Sequence, residues 1–310
     1  MSIKIGVAPG NWAWKGGGQF FFRFVDSCEE LGWDSLWLSD RLISLQPTLE
    51  PVTTLASVAA RTKRIKFGTS VLVPALRNPT VLAKELATVD FLSGGRLLPA
   101  IGLGSKDDRE YQAAGVKRSE RRGRTEEAIG LMRRLWTEES VTHHGQFYTL
   151  NNVTVNPKPL FQPALPIWIG GRTKQAVQRV ARLGDGWLAS SITSDEAAEG
   201  VSSIKHMLKA EGRHIENDHY GVLLACYISM SREKALAAIQ SHGVPLRENL
   251  PLEHYVAAGS REDILRVIKR YQENGISKFV LRLACDENEG LEQLQLLAEM
   301  VAVPINTSGM

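Results

Sequence analysis

Two adjacent glycines and an arginine mark the strongest candidate binding segment in the sequence. Gly170 and Gly171 end a strand-like run, and Arg172 and Thr173 lead directly into a helix-like one. A backbone without side chains lets a ligand approach closely, and the free N–H groups at a helix start favour an anion. Arg172 adds a donor that can bind a phosphate in a bidentate manner. Residues 170–173, the glycine turn, therefore predict a phosphate site, with an ordinary tight turn as the alternative.

Further polar and aromatic residues come directly after other strand-like runs. Asp40 and Arg41 follow the second run, where Arg41 could stabilise an anion or the two residues could form an ion pair. Asn11, Trp12 and Trp14 follow the first run, and the two indole rings could line a planar ligand. These residue types allow charge stabilisation and the packing of a flat ligand, and a purely structural role is the alternative.

The motifs of several common enzyme classes are absent from the sequence. Gly102 and Gly104 begin a glycine motif, but Asp107 stands where a third glycine would be needed, so neither a dinucleotide fingerprint nor a P-loop results. No Gly-x-Ser-x-Gly elbow occurs. His143 and His144 are adjacent and point apart, and the cysteines lie far from one another, so neither a metal site nor a disulfide is expected.

Eight strand-like runs alternate with helix-like runs and must position these residues. They are centred near residues 5, 35, 69, 100, 168, 188, 224 and 281. Eight βα units with short connections predict a (β/α)₈ TIM barrel, whose site lies at the carboxyl ends of the strands. An insertion separates the fourth and fifth units, with 146–148 and 153–155 as a candidate hairpin. A doubly wound open sheet, the alternative, would need a nucleotide fingerprint after the first strand, where the sequence has Ala8-Pro9-Gly10-Asn11-Trp12.

Composition places the chain among ordinary globular proteins. Of the 310 residues, 43% are hydrophobic and 23% are charged, and no linker-like stretch divides them, so one domain over residues 1–310 is predicted. A net charge of +3 without a basic run argues against nucleic acid as a partner. The sequence has no signal-peptide pattern and no apolar run of membrane-spanning length, which favours a cytoplasmic location away from membranes.

Beyond single residues, the sequence carries an ordered series of short motifs. They are Trp37-Leu-Ser-Asp40, Phe67-Gly-Thr-Ser70-Val-Leu-Val-Pro74, Arg77-Asn-Pro79, Ala83-Lys-Glu-Leu-Ala-Thr88, Leu92-Ser-Gly-Gly-Arg96, Gly102-Leu-Gly104, Gly123-Arg-Thr-Glu-Glu-Ala-Ile129, Leu135-Trp136, Asn156-Pro-Lys-Pro159, Trp168-Ile-Gly-Gly171 and Gly184-Asp-Gly-Trp187. This series resembles the bacterial-luciferase-like flavin-dependent oxidoreductases, strongly over about residues 1–230. The fold that the resemblance implies is a (β/α)₈ barrel, in agreement with the count of strands.

The resemblance implies a site for FMN or for the deazaflavin coenzyme F420. It implies a non-proline cis peptide bond between Ser70 and Val71, which forms a bulge behind the cofactor ring. It strengthens the expectation that the glycine turn holds the cofactor's phosphate. Asp40 matches a polar position near the pyrimidine side of the ring.

The same resemblance assigns the other loops around the predicted site. The loop from Ser105 to Asp108 matches one that contacts the ring or its ribityl chain. Asn11 and Trp12 would face the substrate, with Trp14 beside them. A homodimer is also implied by the resemblance.

Two departures from the family pattern guide the prediction of the reaction. Many F420-dependent members carry a histidine where this chain has Arg41, and the sugar-phosphate dehydrogenases of that branch carry a glutamate where it has Ser105. A guanidinium stays protonated and cannot replace an imidazole base. The departures therefore favour a monooxygenase that uses reduced FMN and oxygen on a small organic substrate, which would draw on a separate flavin reductase.

Two other functions stay open at this stage. An F420-dependent oxidoreductase that transfers hydride without oxygen is the main alternative, and chains near 300 residues are common among such members. Loss of the family's histidine and glutamate also leaves open a barrel that binds flavin without catalysis. No readable motif identifies the substrate.

Overall fold

The computed structural model describes residues 3–242 and 245–308. The strands in these ranges are β1 (Lys4–Ala8), β2 (Ser35–Leu38), β3 (Lys66–Thr69), β4 (Leu97–Leu98), β5 (Ala100–Ile101), β6 (Val141–His144), β7 (Thr149–Val153), β8 (Trp168–Gly170), β9 (Gly186–Ser190), β10 (Tyr220–Ile228), β11 (Ala257–Gly259) and β12 (Lys278–Leu283). The helices are α1 (Gly17–Glu30), α2 (Pro51–Arg61), α3 (Pro79–Ser93), α4 (Asp108–Ala113), α5 (Arg121–Thr137), α6 (Lys174–Leu183), α7 (Ser194–Ala210), α8 (Arg232–Ser241), α9 (Arg261–Glu273), α10 (Gly290–Leu297) and α11 (Val303–Ser308). Within the described ranges, no helix combines the length and the apolar character needed to cross a membrane.

Parallel strands form a closed ring of eight positions. β4 and β5 are two halves of one position, because Pro99 between them has no N–H to continue the ladder. Around the ring the order is β4, β3, β2, β1, β12, β10, β9, β8 and β5. A parallel bridge between Leu72 and Ile101 joins the two ends. The (β/α)₈ barrel predicted from the sequence is confirmed.

The inside and the outside of the barrel use alternate residues of the strands. The inward side chains pack in one apolar cluster, formed by Ala8, Trp37, Ala100, Trp168, Leu188 and Val280. At the amino-terminal ends of the strands, Lys278 forms a buried ion pair with Asp34 and donates to the Ser35 hydroxyl at 2.7 Å. These side chains fill that end of the barrel, so the space for a ligand lies at the carboxyl ends.

Local signals set the start of the helices next to the carboxyl ends. The side chain of Asn78 accepts a hydrogen bond from the N–H of Thr80 at 2.9 Å, and Pro79 follows it as the first residue of α3. Thr173 caps α6 in the same way, through the N–H of Ala176 at 3.2 Å. Both helices therefore begin directly after the loops that follow β3 and β8.

The hairpin of the insertion lies at other residues than the sequence suggested. We expected 146–148 to pair with 153–155, whereas Val141–His144 pairs with Thr149–Val153. The N–H groups of Phe147 and Tyr148 both donate to the carboxylate of Glu127 on α5, each at 3.0 Å. This interaction holds residues 145–148 as the turn, so the strands flank it.

Two short elements near the carboxyl ends of the strands escaped prediction. β11 has only three small residues and pairs with the carboxyl end of β10 outside the ring, so its sequence shows no alternation. α4 has six residues, and Asp107 caps it through the N–H of Arg109 at 3.0 Å. Because α4 begins within the loop after β5, it shapes the site described next.

Candidate active site

A large cavity, the mouth cavity, opens at the carboxyl ends of the barrel strands. Its volume is about 1130 Å³. Typical pockets for small molecules hold roughly 300–1,000 Å³, so the mouth cavity has room for a cofactor and a second ligand. Its lining includes most of the candidates from the sequence: Asn11, Trp12, Trp14, Asp40, Arg41, Ser70, Val71, Ser105, Gly170, Gly171, Arg172 and Thr173.

One wall of the cavity is built where β3 ends. The peptide bond between Ser70 and Val71 is cis, which confirms the expectation from the motif. The Val71 side chain lies between two glycines, since a Cβ on Gly102 would be 2.4 Å from its Cγ2 and one on Gly170 would be 2.5 Å from its Cγ1. Any larger residue at either glycine would displace Val71. We call Ser70, Val71, Gly102 and Gly170 the Val71 wall.

The Val71 wall also presents a polar group without a partner. The Ser70 hydroxyl is buried, and no hydrogen-bond partner for it occurs among residues 3–242 and 245–308. A buried hydroxyl is nearly always hydrogen-bonded in a folded protein. At the wall of a cavity, this hydroxyl is therefore available to a polar atom of a ligand.

Asp40 is fully engaged in holding the backbone behind this wall. Its carboxylate accepts hydrogen bonds from both terminal nitrogens of Arg77, at 2.6 and 2.9 Å, and from the N–H of Val73 at 2.9 Å. Burial raises the pKa of Asp40 above its ordinary value, although Arg77 and the Val73 N–H favour its charged form. Arg77 also contacts Glu50 at 3.0 Å. Asp40 thus ties the end of β2 to the segment just after the Val71 wall.

Arg41 belongs to a second polar group, centred on Glu110. The buried carboxylate of Glu110 accepts hydrogen bonds from the N–H of Leu42 at 3.0 Å and from the Ser105 hydroxyl at 2.5 Å. The half-exposed guanidinium of Arg41 lies 3.7 Å from the same carboxylate. Arg41 and Ser105 line the cavity, and Glu110 lies behind them. The Glu110 carboxylate is therefore linked to the cavity through a single hydrogen bond, which it accepts from the Ser105 hydroxyl.

The glycine turn has the backbone geometry that an anion site requires. Gly171 has φ of 115°, a conformation that other residues rarely adopt, and a Cβ there would lie 2.9 Å from the Cβ of Ala176. The amino end of α6 follows directly, and Thr173, which caps this helix, lines the cavity. Arg172 donates to the carbonyl oxygen of Ser191 at 3.0 Å, and the buried Arg179 pairs with Glu126 at 3.2 Å. Arg172 and Arg179 both line the mouth cavity as well.

The loop after β5 places one of its two aspartates at the cavity. Asp107 lines the cavity, and its hydrogen bonds to Arg109 lower its pKa to about 2. Asp108 is not among the lining residues, and its carboxylate forms an ion pair with Arg118. The prediction that Asp108 binds the cofactor therefore gains no support from its position, because its side chain is held by Arg118 instead.

The residues after β1 form an aromatic edge of the cavity. Trp12 is only 2% exposed, packs edge-on against Trp14 with the ring centres 5.5 Å apart, and donates from its indole N–H to the carbonyl of Cys285 at 2.9 Å. Asn11 donates to the carbonyl of His242 at 3.3 Å. Trp12 is thus mainly a packing residue, whereas Trp14 and Asn11 are more accessible.

Three residues of the site lie beyond what we singled out in the sequence. Arg77 and Glu110 were missed because their partners, Asp40 and Leu42, lie 37 and 68 positions away in the chain. Arg282 lines the cavity from β12. The alternation of Lys278, Val280 and Arg282 could have indicated an inward charge. Among the described residues, no group of three or more His, Cys, Asp or Glu side chains is arranged to hold a metal ion.

These features fit a bound flavin or deazaflavin. The Val71 wall offers an apolar side chain between two glycines with the unpaired Ser70 hydroxyl beside it, which suits a ring with polar edges. The glycine turn and the start of α6 suit the phosphate at the other end of such a cofactor. When bound, the cofactor would supply the redox chemistry, and the chain would bind and orient it.

Comparison with known proteins connects this site to a family. The family model of the luciferase-like monooxygenases matches residues 4–291. An F420-dependent glucose-6-phosphate dehydrogenase from Amycolatopsis mediterranei is 28% identical over 290 residues, covering 83% of this chain and 86% of the relative. The enzyme of the same name from Kineococcus radiotolerans is 36% identical over 179 residues, covering 54% of this chain and only 51% of the relative.

A solved structure shows the same fold at low sequence identity. The monooxygenase RslO1 from Streptomyces bottropensis superposes with a TM-score of 0.83 at 22% identity, covering 97% of this chain and 99% of that one. The match of the family model extends over nearly all of the barrel, from β1 into α10. This chain belongs to the luciferase-like monooxygenase family.

Proposed function

We propose that the chain is an F420-dependent oxidoreductase that transfers a hydride between the cofactor and a small organic substrate. The observation that carries this proposal is the charge of the mouth cavity. Seven arginines line it, against the two carboxylates of Asp40 and Asp107: Arg41, Arg109, Arg121, Arg122, Arg172, Arg179 and Arg282. F420 bears a phosphate and a tail of linked glutamates, whereas FMN bears a phosphate alone. Glu110, Asp107 and Glu126 pair with four of these arginines, and the positive charge that remains in the lining suits the more anionic cofactor.

The curated relatives point in the same direction. Both relatives described above are named as F420-dependent dehydrogenases. We therefore favour hydride transfer over the FMN-dependent oxygenation that the sequence departures at Arg41 and Ser105 suggested. A separate flavin reductase would be a partner only in the oxygenation reaction.

In such a reaction, some residues of the chain bind and orient the cofactor, and others transfer the proton. The Val71 wall and the Ser70 hydroxyl hold and orient the cofactor ring, and the glycine turn with Thr173 holds its phosphate. Oxidation of an alcohol also releases the hydroxyl proton. Ser105 lines the cavity and donates its hydrogen bond to Glu110, so a substrate hydroxyl could pass its proton to this carboxylate through the Ser105 oxygen. In this proposal, Ser105 and Glu110 together supply a carboxylate in place of the glutamate that the sugar-phosphate dehydrogenases carry at the position of Ser105.

Asp40 and Arg41 take other roles in this proposal. The carboxylate oxygens of Asp40 already accept three hydrogen bonds, so Asp40 acts as a positioning residue for the Val71 wall. Arg41 stabilises negative charge at the cavity mouth and holds Glu110. A homodimer of single-domain chains in the cytoplasm is part of the same proposal.

Separate titrations of the purified protein with F420 and FMN test the proposal. We expect F420 to bind at least tenfold more tightly than FMN, as followed by the fluorescence of each cofactor. A panel of alcohols and carbonyl compounds, added with oxidised or reduced F420, should then give a change in F420 absorbance without oxygen uptake. Tighter binding of FMN, with oxygen uptake that depends on a substrate, would instead establish the monooxygenase.

A further inference from the structure

Arg282 is a charged residue on the inner face of the barrel. Lys278, Val280 and Arg282 alternate along β12, so their side chains share one face, and Val280 belongs to the inward apolar cluster. Lys278 lies at the closed end, and Arg282 lies at the open end, where it lines the mouth cavity. Its neighbours in register on the two adjacent strands are Ala8 and Ala225. Neither neighbour offers a side chain that could accept a hydrogen bond.

The guanidinium of Arg282 has no partner within residues 3–242 and 245–308. Each of the other six arginines of the cavity lining has a carboxylate or a carbonyl oxygen within reach: Arg41, Arg109, Arg121, Arg122, Arg172 and Arg179. Burial without a compensating acceptor lowers the pKa of Arg282 below its ordinary value. Arg282 is partly buried, and a guanidinium shielded from bulk water gains from a paired acceptor. A molecule in the cavity can supply the acceptor that the described residues do not offer to Arg282.

The position of Arg282 separates this acceptor from the cofactor's phosphate. In the ring of strands, β12 is four positions from β4 in one direction and four positions from β5 in the other. Arg282 thus lies diametrically across the barrel from Gly102, which follows β5 in the middle of the Val71 wall, between β3 and β8. The glycine turn follows β8, which β9 and β10 separate from β12. A cofactor with its ring on the Val71 wall would turn its free face towards Arg282, and the substrate of a hydride transfer must lie at that face.

We propose that Arg282 binds an anionic oxygen group, a carboxylate or a phosphate, on the substrate. The proposal rests on the function given above, because it places the substrate between the cofactor ring and β12. A planar guanidinium binds such groups through two parallel hydrogen bonds, which fixes the orientation of the substrate as well as its charge. Trp14 and Asn11, which follow the adjacent strand β1, lie on the same side of the cavity and would contact the rest of the molecule.

A structural role for Arg282 makes the opposite prediction about stability. A partly buried charge without a partner adds nothing to the stability of the fold, so its replacement by an apolar side chain of similar length should leave the free protein as stable or more stable. If Arg282 instead held the barrel together, the same replacement would lower the melting temperature. The effect of Arg282→Met on the free protein therefore separates the two roles.

The experiment uses the full chain loaded with F420, and it compares charged probes with neutral ones. The pairs are glucose 6-phosphate with glucose, and 3-hydroxybutyrate with 2-butanol, measured by calorimetric titration. The proteins are the wild type, Arg282→Met, Arg282→Lys and the control Arg266→Met, which removes an exposed arginine outside the cavity. Which charged probe binds the wild type distinguishes phosphate from carboxylate.

We expect at least one charged probe to bind the wild type and Arg266→Met alike, and to lose at least about tenfold in affinity in Arg282→Met. Arg282→Lys should keep part of that affinity, and F420 should bind all four proteins equally. Charged probes that bind Arg282→Met as tightly as the wild type, or that do not bind the wild type at all, would overturn the proposal. If F420 fails to bind but a charged probe still requires Arg282 in the free protein, the hydride-transfer function is wrong and the anion site stands.

Discussion

Replacement of Arg77 by methionine tests whether Asp40 is a positioning residue. Methionine has a similar length but no charge, so it leaves the Asp40 carboxylate buried with only the Val73 N–H as a donor. The Asp40 side chain is 1% exposed and that of Arg77 is 19% exposed. Removing one partner of a buried ion pair costs about 3–5 kcal/mol, and the partial exposure of Arg77 places the expected loss near about 3 kcal/mol. The contact with the exposed Glu50 adds about 1 kcal/mol at most.

This loss translates into a measurable change in melting temperature. At an unfolding entropy of about 2.1 cal/mol/K per residue, each kcal/mol shifts the melting temperature of a 310-residue chain by about 1.5 °C, so Arg77→Met should melt about 4–5 °C below the wild type at pH 7.5. Scanning calorimetry or circular dichroism gives the value. Arg61→Met is the matched control, because Arg61 makes the same two-pronged contact with Asp26 at 2.6 Å, but on the surface. The control should lose less than about 1 kcal/mol.

The dependence on pH follows from the carboxyl group of Asp40. Burial already raises its pKa, and the variant loses the arginine that favours the charged form, so the pKa rises further. A carboxyl whose pKa is raised in the folded state binds a proton more readily when folded, so this part of the destabilisation shrinks as the pH falls below that pKa. The gap to the wild type should therefore close by up to about 1.4 kcal/mol per pH unit. Asp40→Asn combined with Arg77→Met should remove this pH dependence.

Two results would refute this account of Asp40. One is an Arg77→Met protein that loses no more stability than Arg61→Met, which would mean that the carboxylate tolerates the loss of its partner. The other is a gap to the wild type that stays constant as the pH is lowered to the point at which the wild type begins to unfold, which would mean that the Asp40 carboxyl does not titrate in the folded variant. F420 affinity should fall together with stability, because the pair holds the segment just after the Val71 wall.

Two further substitutions test the cavity itself. Gly102→Ala places a Cβ 2.4 Å from Val71 Cγ2 and should weaken F420 binding, with an overpacking cost of about 1–3 kcal/mol; Val71→Ala in the same chain should restore binding. Gly130→Ala, in the interior of α5 with open space around it, is the control and should stabilise the fold by about 0.5–1 kcal/mol. Ser105→Ala should lower kcat while KM and F420 affinity stay unchanged, and Glu110→Gln should do the same. A weaker affinity for F420 without loss of kcat would make Ser105 a cofactor ligand instead.

The order of the barrel strands could be predicted from the sequence because each strand is a short run with its own flanking turn. The position of the glycine turn could be predicted equally well, since the strand-like run that ends at Gly170 and the helix-like run that begins at Lys174 are both present in the structure. The break at Pro99 and the three-residue β11 could not be predicted, because each involves too few residues to show a recognisable pattern. Local sequence therefore specified where loops leave the barrel, which is also where the site lies.

Contacts between residues that lie far apart in the sequence could not be predicted in this way. Asp40 and Arg41 are adjacent and looked like one unit, yet Asp40 pairs with Arg77 and Arg41 with Glu110. Neighbouring residues that follow a strand point in different directions, so adjacency in the sequence gives no information about shared chemistry. Likewise, Asp108 and Asp107 differ by one position, and only Asp107 faces the cavity.

The distribution of partners separates the residues that hold the cavity from those that can act in it. Asp40 and Arg77 already have their hydrogen bonds within the protein, so their charges serve to hold the backbone. The Ser70 hydroxyl and the Arg282 guanidinium have none among the described residues, and they lie on opposite sides of the barrel. A ligand that bound only one of them would leave the other without a partner among the described residues. Full occupation of the cavity therefore requires two molecules, or one long enough to reach both sides, and a redox reaction between a bound cofactor and an anionic substrate meets that requirement.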